Sequence, residues 1–295
     1  MGQQVNYCRV AAVTANEYAR VQIFPVRRTA KKRGAKKKAT SAVQAALNQK
    51  NAEKHLSDLL HLNFTPDDDE IGLDYDECTR PESIEGALKE VKNFLLRLKR
   101  AWAKKTGKQA ADFRYVIITE RTSTGKIHHH CAFSGGMDVR ELTQIWKNGR
   151  VHQRAFEFDE NGLRALSHYM LKNRLSYRRW SASRNLKQPV QKTSDHRMTL
   201  KDLRYINEHP EDVGFIEKKF PGWRVSPRGV EVLAIRDEES GEAQAVMEEG
   251  HEAPVMPFVT IQLYREDCPY FTRNPVTGKI KYNYGMDWRE NFASV

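Results

Sequence analysis

Cysteine is scarce in this chain of 295 residues. The four present, Cys8, Cys78, Cys131 and Cys268, stand far apart and form no CxxC pair. That argues against a disulfide framework and a cysteine-based zinc site, and it fits a reducing compartment such as the cytosol. Long apolar runs are missing as well. Nothing approaches the roughly 18 residues a membrane-spanning helix needs, so no membrane partner is expected. The opening MGQQVNYCRV lacks a signal-peptide pattern. There is no G-x-x-x-x-G-K-[ST] stretch; STGK at 123–126 lacks the first glycine. Neither a nucleotide cofactor nor a built-in ATP-driven helicase is expected. No internal repeat is visible.

Acidic charge is also in deficit, with 38 Asp and Glu against 49 Lys and Arg, for a net charge of +11. The excess is segmental. Residues 1–58 carry +9, 59–173 carry +1, 174–228 carry +7 and 229–295 carry −6. Two basic blocks flank a near-neutral middle. Basic surfaces attract polyanions such as nucleic acid through counterion release.

What is present reads as alternating strands and helices. VRRTAKKRGAKKK at 26–38 is a basic arm, and 40–58 is helical in composition. LLHLNFT at 59–65 reads as a strand, stopped by Pro66 and a solvated acidic loop at 67–70. Ile84, Leu88, Val91, Leu95, Leu98 and Trp102 recur at helical steps, predicting a helix over 82–105. FRYVIIT at 113–119 and IHHHCAF at 127–133 predict an antiparallel hairpin around a polar loop. A short helix over 138–147, a strand over 151–158 and a helix over 161–173 follow. Beyond 174, one or two helices lie within 199–220. GVEVLAI and FVTIQLY read as strands separated by an acidic stretch. The order implies an α+β fold with a central, mostly antiparallel sheet flanked by helices. We divide the chain into a basic arm and helix at 1–55, a main domain at 56–190, and a C-terminal α/β extension at 191–295. The acidic balance of 229–295 argues against DNA contact there.

Alternate residues of a strand share a face, so His128 and His130 point one way and His129 the other. Two imidazoles at that spacing can hold one divalent metal. Glu120, at the exit of the preceding strand, can add a carboxylate oxygen, leaving coordination positions open for a substrate. Imidazole with carboxylate suits Mn²⁺ or Zn²⁺, and Mg²⁺ where phosphate oxygens complete the shell. A nucleotide hydrolase with His at every second strand position is discounted, because position 132 is Ala132.

Tyr169 and Lys172 lie three apart on a helix and are neighbours on its surface. A phenol with a reference pKa of about 10 needs a cation beside it to act as a nucleophile at neutral pH. Lys172 can supply that charge or bind a phosphate.

In this order, LLHLNFT, IHHHCAF and YMLK resemble three motifs of the HUH endonucleases, specifically the rolling-circle replication initiators of phages and plasmids. RRWSASRNLKQP is similar to the basic segment that follows the tyrosine helix in the phage-type proteins. The resemblance covers roughly residues 56–190. It implies an HUH fold and a nickase that joins a tyrosine to a 5′-phosphate. It implies His128, His130 and Glu120 as ligands of Mn²⁺ or Mg²⁺, Tyr169 as nucleophile and Lys172 as its partner. Some relatives use two tyrosines; Tyr177 is eight residues beyond Tyr169, and we read it as a stacking or packing residue.

A nickase must hold a single strand or an extruded origin hairpin. Tyr177, Arg178, Arg179, Trp180 and Arg184 are candidates for that, with Lys36 and Lys37 of the basic arm adding non-specific affinity. Unwinding would fall to a host helicase. The alternatives are a transposase or relaxase with the same chemistry, a non-enzymatic DNA-binding regulator with structural histidines, and a phosphodiesterase acting on RNA.

Overall fold

The computed structural model describes residues 5–27, 42–122, 124–172, 180–235, 256–274 and 277–283. In chain order the elements are β1 (Val5–Ala15), β2 (Tyr18–Arg27), α1 (Ala42–Asn63), β3 (Asp69–Asp74), α2 (Ile84–Thr106), β4 (Tyr115–Arg121) and β5 (Ile127–Phe133). Then come α3 (Val139–Trp146), β6 (Val151–Ala155), α4 (Arg164–Leu171), β7 (Ser181–Ala182), β8 (Gln191–Ser194), α5 (Leu200–Glu208) and α6 (Val213–Lys219). The chain closes with β9 (Trp223–Ile235), β10 (Met256–Arg265), β11 (Phe271–Arg273) and β12 (Ile280–Tyr282). They form two compact units, residues 1–58 with 189–268, and residues 59–188 with 269–295.

The first unit holds a five-stranded sheet in the order β8-β1-β2-β10-β9. Every pairing in it is antiparallel. Its apolar core joins Val10, Val21, Ile23, Val259 and Ile261 of the strands to Leu203 and Ile206 of α5 and Ile216 of α6. Two ion pairs tie α1 to strands of this unit: Arg20 with Asp58 at 2.7 Å, and Lys54 with Glu231 at 3.0 Å.

The second unit holds a five-stranded sheet in the order β6-β3-β5-β4-β7, so β5 is the central strand. All its pairings are antiparallel. The α2 helix starts where Ser83 accepts a hydrogen bond from the Gly86 N–H at 3.0 Å, and stops at Gly107, whose φ of 72° suits a residue without a Cβ. Its buried stripe is Ala87, Val91, Phe94, Leu95, Leu98 and Trp102. Leu88, expected on that face, is exposed, and Phe94 takes the inward position. With Leu142 and Trp146 of α3, this stripe covers one face of the sheet through Ile71, Leu73, Ile117, Cys131 and Phe133. Expectation and structure agree on an α+β chain with a large antiparallel sheet flanked by helices.

Two expectations are corrected. LLHLNFT is not a strand: residues through Asn63 belong to α1, and the Phe64 N–H still donates to the Leu60 carbonyl at 2.9 Å. Leu56, Leu59, Leu60 and Phe64 recur at helical steps and are all buried, which outweighs the strand-like look of the isolated heptapeptide. The acidic run is not a solvated loop either. Asp68 is buried; it accepts from the N–H groups of Thr65 and Gly135 at 2.9 and 3.0 Å and pairs with Arg114 at 3.2 Å. Asp69 already begins β3, and burial pushes its pKa up to about 6. The first strand of this unit is therefore β3.

Candidate metal centre and nucleophile

The hairpin of β4 and β5 aligns Glu120 opposite His128 and Ile118 opposite His130. Cross-strand partners share a face, so Glu120, His128 and His130 project to the same side of the sheet. The turn that joins them is tight: the Thr122 N–H donates to the Lys126 carbonyl at 2.8 Å, and Gly125 takes a φ of 83°. On the other side of β5, β3 places Gly72 opposite His130. Gly72 has no side chain, and the His152 side chain of β6 lies next to it, 3.5 Å from where a Cβ would stand.

The three side chains converge. His130 Nε2 lies 2.9 Å from Glu120 Oε2 and 3.0 Å from His128 Nε2, while His128 Nε2 is 3.4 Å from the same carboxylate oxygen. Glu120 is 4% exposed and His130 6%. Burial lowers the pKa of His130, the neighbouring His128 adds to this, and Glu120 pulls the other way. A neutral imidazole carries the lone pair that a metal needs. Two ring nitrogens and a carboxylate oxygen at these separations form a donor set that a divalent cation fits. Among the described residues, this is the group of His, Cys, Asp and Glu side chains with ligand atoms close enough to share one ion.

His129 answers to a different surrounding. It is fully buried on the opposite face, with Nε2 2.9 Å from the Tyr75 hydroxyl and Nδ1 3.0 Å from Thr119 Oγ1. Its ring meets Trp146 edge-on at 6.0 Å. Burial, with smaller help from its two histidine neighbours, pushes its pKa down to about 3. A neutral ring with one donor and one acceptor satisfies both hydroxyls. One of the three consecutive imidazoles is thus a core residue.

Tyr169 lies on α4, 54% exposed, with its ring edge-on to His130 at 4.9 Å between centroids. Ser167, Met170 and Leu171 are the buried side of α4, which turns Tyr169 outward. Lys172 follows at the helix end, exposed, its N–H donating to the Tyr169 carbonyl at 3.3 Å. The helix has no side-chain cap of its own. Instead, the Leu163 N–H that opens it donates to His61 Nε2 of α1 at 2.6 Å. Burial holds His61 neutral, its pKa lowered to about 3, so that nitrogen can accept. His61 was missed in the sequence because it lay inside the heptapeptide read as a strand. The helical spacing of Leu56, Leu59 and Leu60 around it was the available signal.

The structure brings together Glu120, His128, His130 and Tyr169. Trp180 and Arg184 flank β7, which pairs with β4 through Ala182 and Val116. Trp180 is half-buried and Arg184 exposed. Tyr177, Arg178, Arg179, Lys36 and Lys37 lie outside the described residues. No described helix is long and apolar enough to cross a membrane.

Residues 71–174 match the model of the family described as replication-associated protein ORF2/G2P, a group of rolling-circle replication initiators. The match runs from β3 to the end of α4. It therefore contains the three converging side chains, Tyr169 and Lys172. No curated protein and no solved structure matches the chain.

Proposed function

We propose that this protein is a metal-dependent nickase of the HUH type that starts rolling-circle replication on single-stranded DNA. One observation carries the reading: Tyr169 packs edge-on against His130, a member of the Glu120–His128–His130 donor set, inside the segment similar to replication initiators. A bound Mn²⁺ or Mg²⁺ would polarise the scissile phosphodiester and neutralise charge that develops on its oxygens.

The chain's own groups do the rest. Glu120, His128 and His130 would hold that ion over the sheet face, and the scissile phosphate would be drawn to it. The Tyr169 oxygen attacks phosphorus as its proton passes to solvent. The bond from phosphorus to the 3′-oxygen breaks, and that oxygen takes up a proton as a free 3′-hydroxyl. The product is a 5′-phosphotyrosine link. Attack by a 3′-hydroxyl on that link reverses the step and reseals the strand, so bond energy is conserved. Lys172, one helical turn along, favours the phenolate and contacts the phosphate. Trp180 and Arg184, with Tyr177, Arg178 and Arg179, would hold the strand by stacking and phosphate contact, and the arm residues Lys36 and Lys37 would add non-specific affinity. Unwinding is left to a host helicase.

The test is nicking of labelled single-stranded DNA from the protein's own replicon, with Mn²⁺ present or chelated. Cleavage that stops with EDTA and with His128→Ala or His130→Ala supports the reading. Tight DNA binding with no cleavage under any condition favours a regulator instead.

A further inference from the structure

A cleft of about 370 Å³ opens beside Tyr169. That is within the range of about 300–1,000 Å³ usual for small-ligand sites. Its walls come from β3, β6, the start of α4, and Tyr282 of the β11–β12 hairpin. Its lining combines the apolar Phe156, Leu163 and Leu166 with the carboxylates Glu70, Glu157 and Asp159 and with Arg154; Asp159 also accepts from the Asn161 N–H at 2.6 Å. Glu70 lies two residues along β3 from Gly72, the partner of His130, so the cleft opens on the same face as the donor set.

The hairpin is fixed in place. Arg273 forms a two-pronged ion pair with buried Glu160, one contact at 2.6 Å, and Tyr270 packs on Phe158 at 4.7 Å between ring centres. Tyr282, paired with Phe271 across the hairpin, is therefore held at the cleft. The overall acidity of 229–295 argued against DNA contact, yet this segment supplies an aromatic side chain beside the proposed nucleophile.

We propose that the cleft seats one unstacked nucleobase of the DNA strand, next to the scissile phosphate, with Tyr282 as its stacking platform and the carboxylates reading an amino-bearing base. The proposal rests on the nickase reading and extends it to a specificity subsite. Single-stranded DNA is commonly held by bases stacked on aromatic rings. Carboxylates repel phosphate but accept hydrogen bonds from exocyclic amino groups, foremost cytosine N4. Thymine has no amino group to offer. The walls thus favour the amino-bearing bases cytosine, adenine and guanine over thymine, while Arg154 is the cation available to an adjoining phosphate.

Equilibrium binding in EDTA, where no metal-dependent cleavage occurs, tests the pocket apart from the chemistry. Oligo-dC, oligo-dA and oligo-dT are titrated by fluorescence anisotropy into the full chain and into Tyr282→Ala, Tyr282→Phe and Glu157→Gln/Asp159→Asn. The expected result is binding of oligo-dC and oligo-dA about tenfold tighter than oligo-dT. Tyr282→Ala weakens oligo-dC by about tenfold and Tyr282→Phe restores it, which separates stacking from misfolding. The carboxylate replacements bring oligo-dC toward oligo-dT. Equal wild-type affinity for oligo-dC and oligo-dT, or unchanged affinity in Tyr282→Ala, overturns the pocket. If the binding pattern holds but no covalent adduct ever forms on replicon DNA, the nickase reading fails instead.

Discussion

Three consecutive histidines have two different jobs, decided by the pleat. His128 and His130 share a face with Glu120, and His129 is a buried hydrogen-bonding core residue. Truncating them should therefore separate metal affinity from stability. His129→Ala leaves a cavity and removes the partner of the Thr119 hydroxyl, while Tyr75 keeps its bond to the Ala87 carbonyl, and should cost about 2–4 kcal/mol in urea unfolding. His128→Ala should change stability by under about 1 kcal/mol while Mn²⁺ binding, followed by calorimetry, falls at least about tenfold. The facing of these residues was legible in the sequence, because strand alternation needs nothing beyond the chain itself. Glu120 was legible for the same reason, since the polar turn between two apolar runs fixes the hairpin. His61 was not, because its partner, the Leu163 N–H, is 102 residues away and only the fold brings the two together.

At the scale of elements, α4 is the part whose position matters most, and His61 anchors its start. A misplacement near 1 Å can cost about a hundredfold in rate. His61→Gln should lower the rate of adduct formation by about ten- to a hundredfold and leave Mn²⁺ affinity unchanged. The same histidine sets a pH dependence. Its pKa falls from 6.5 to about 3 on folding, so the unfolded chain takes up a proton that the folded one refuses. Its stabilising effect is complete above 6.5 and is lost as pH falls from there toward 3. The slope is about 1.4 kcal/mol per pH unit, and His61→Gln should remove that part of the slope in urea titrations. Helices with a clear apolar stripe, such as α2, were readable along with the hairpin. The end of α1 was not, because a short apolar run suits a helix and a strand equally until its neighbours are known. β1 and β2 went unread altogether; Tyr18 to Arg27 alternates only loosely, because Phe24, on the face opposite Ile23, is apolar too and stacks on Phe258.

On the scale of the whole molecule, charge and burial make two further predictions. Arg20 and Asp58 form an ion pair that is almost fully buried. Burial raises the Asp58 pKa against the pull of Arg20, a sign that desolvation offsets much of the attraction. Arg20→Met or Asp58→Leu alone should cost about 3–5 kcal/mol by leaving one charge unpaired, and the double replacement should recover most of it. The basic blocks at 1–58 and 174–228 should make single-stranded DNA affinity fall steeply with salt, with a log–log slope of about −0.7 for each phosphate contacted. Segmental charge was plain in the sequence. The side-chain platform at Tyr282 was not, since 113 residues separate it from Tyr169 and nothing local hints at their meeting.

The central claim is that Tyr169 takes the DNA strand onto itself. The most direct measurement incubates the protein with replicon single-stranded DNA and Mn²⁺, digests the complex with protease and nuclease, and finds the modified peptide by mass spectrometry. The account predicts a nucleotide phosphate on the Tyr169 hydroxyl, absent with EDTA and in Tyr169→Phe. An adduct on another residue, Tyr177 above all, or one that persists in Tyr169→Phe, would contradict it.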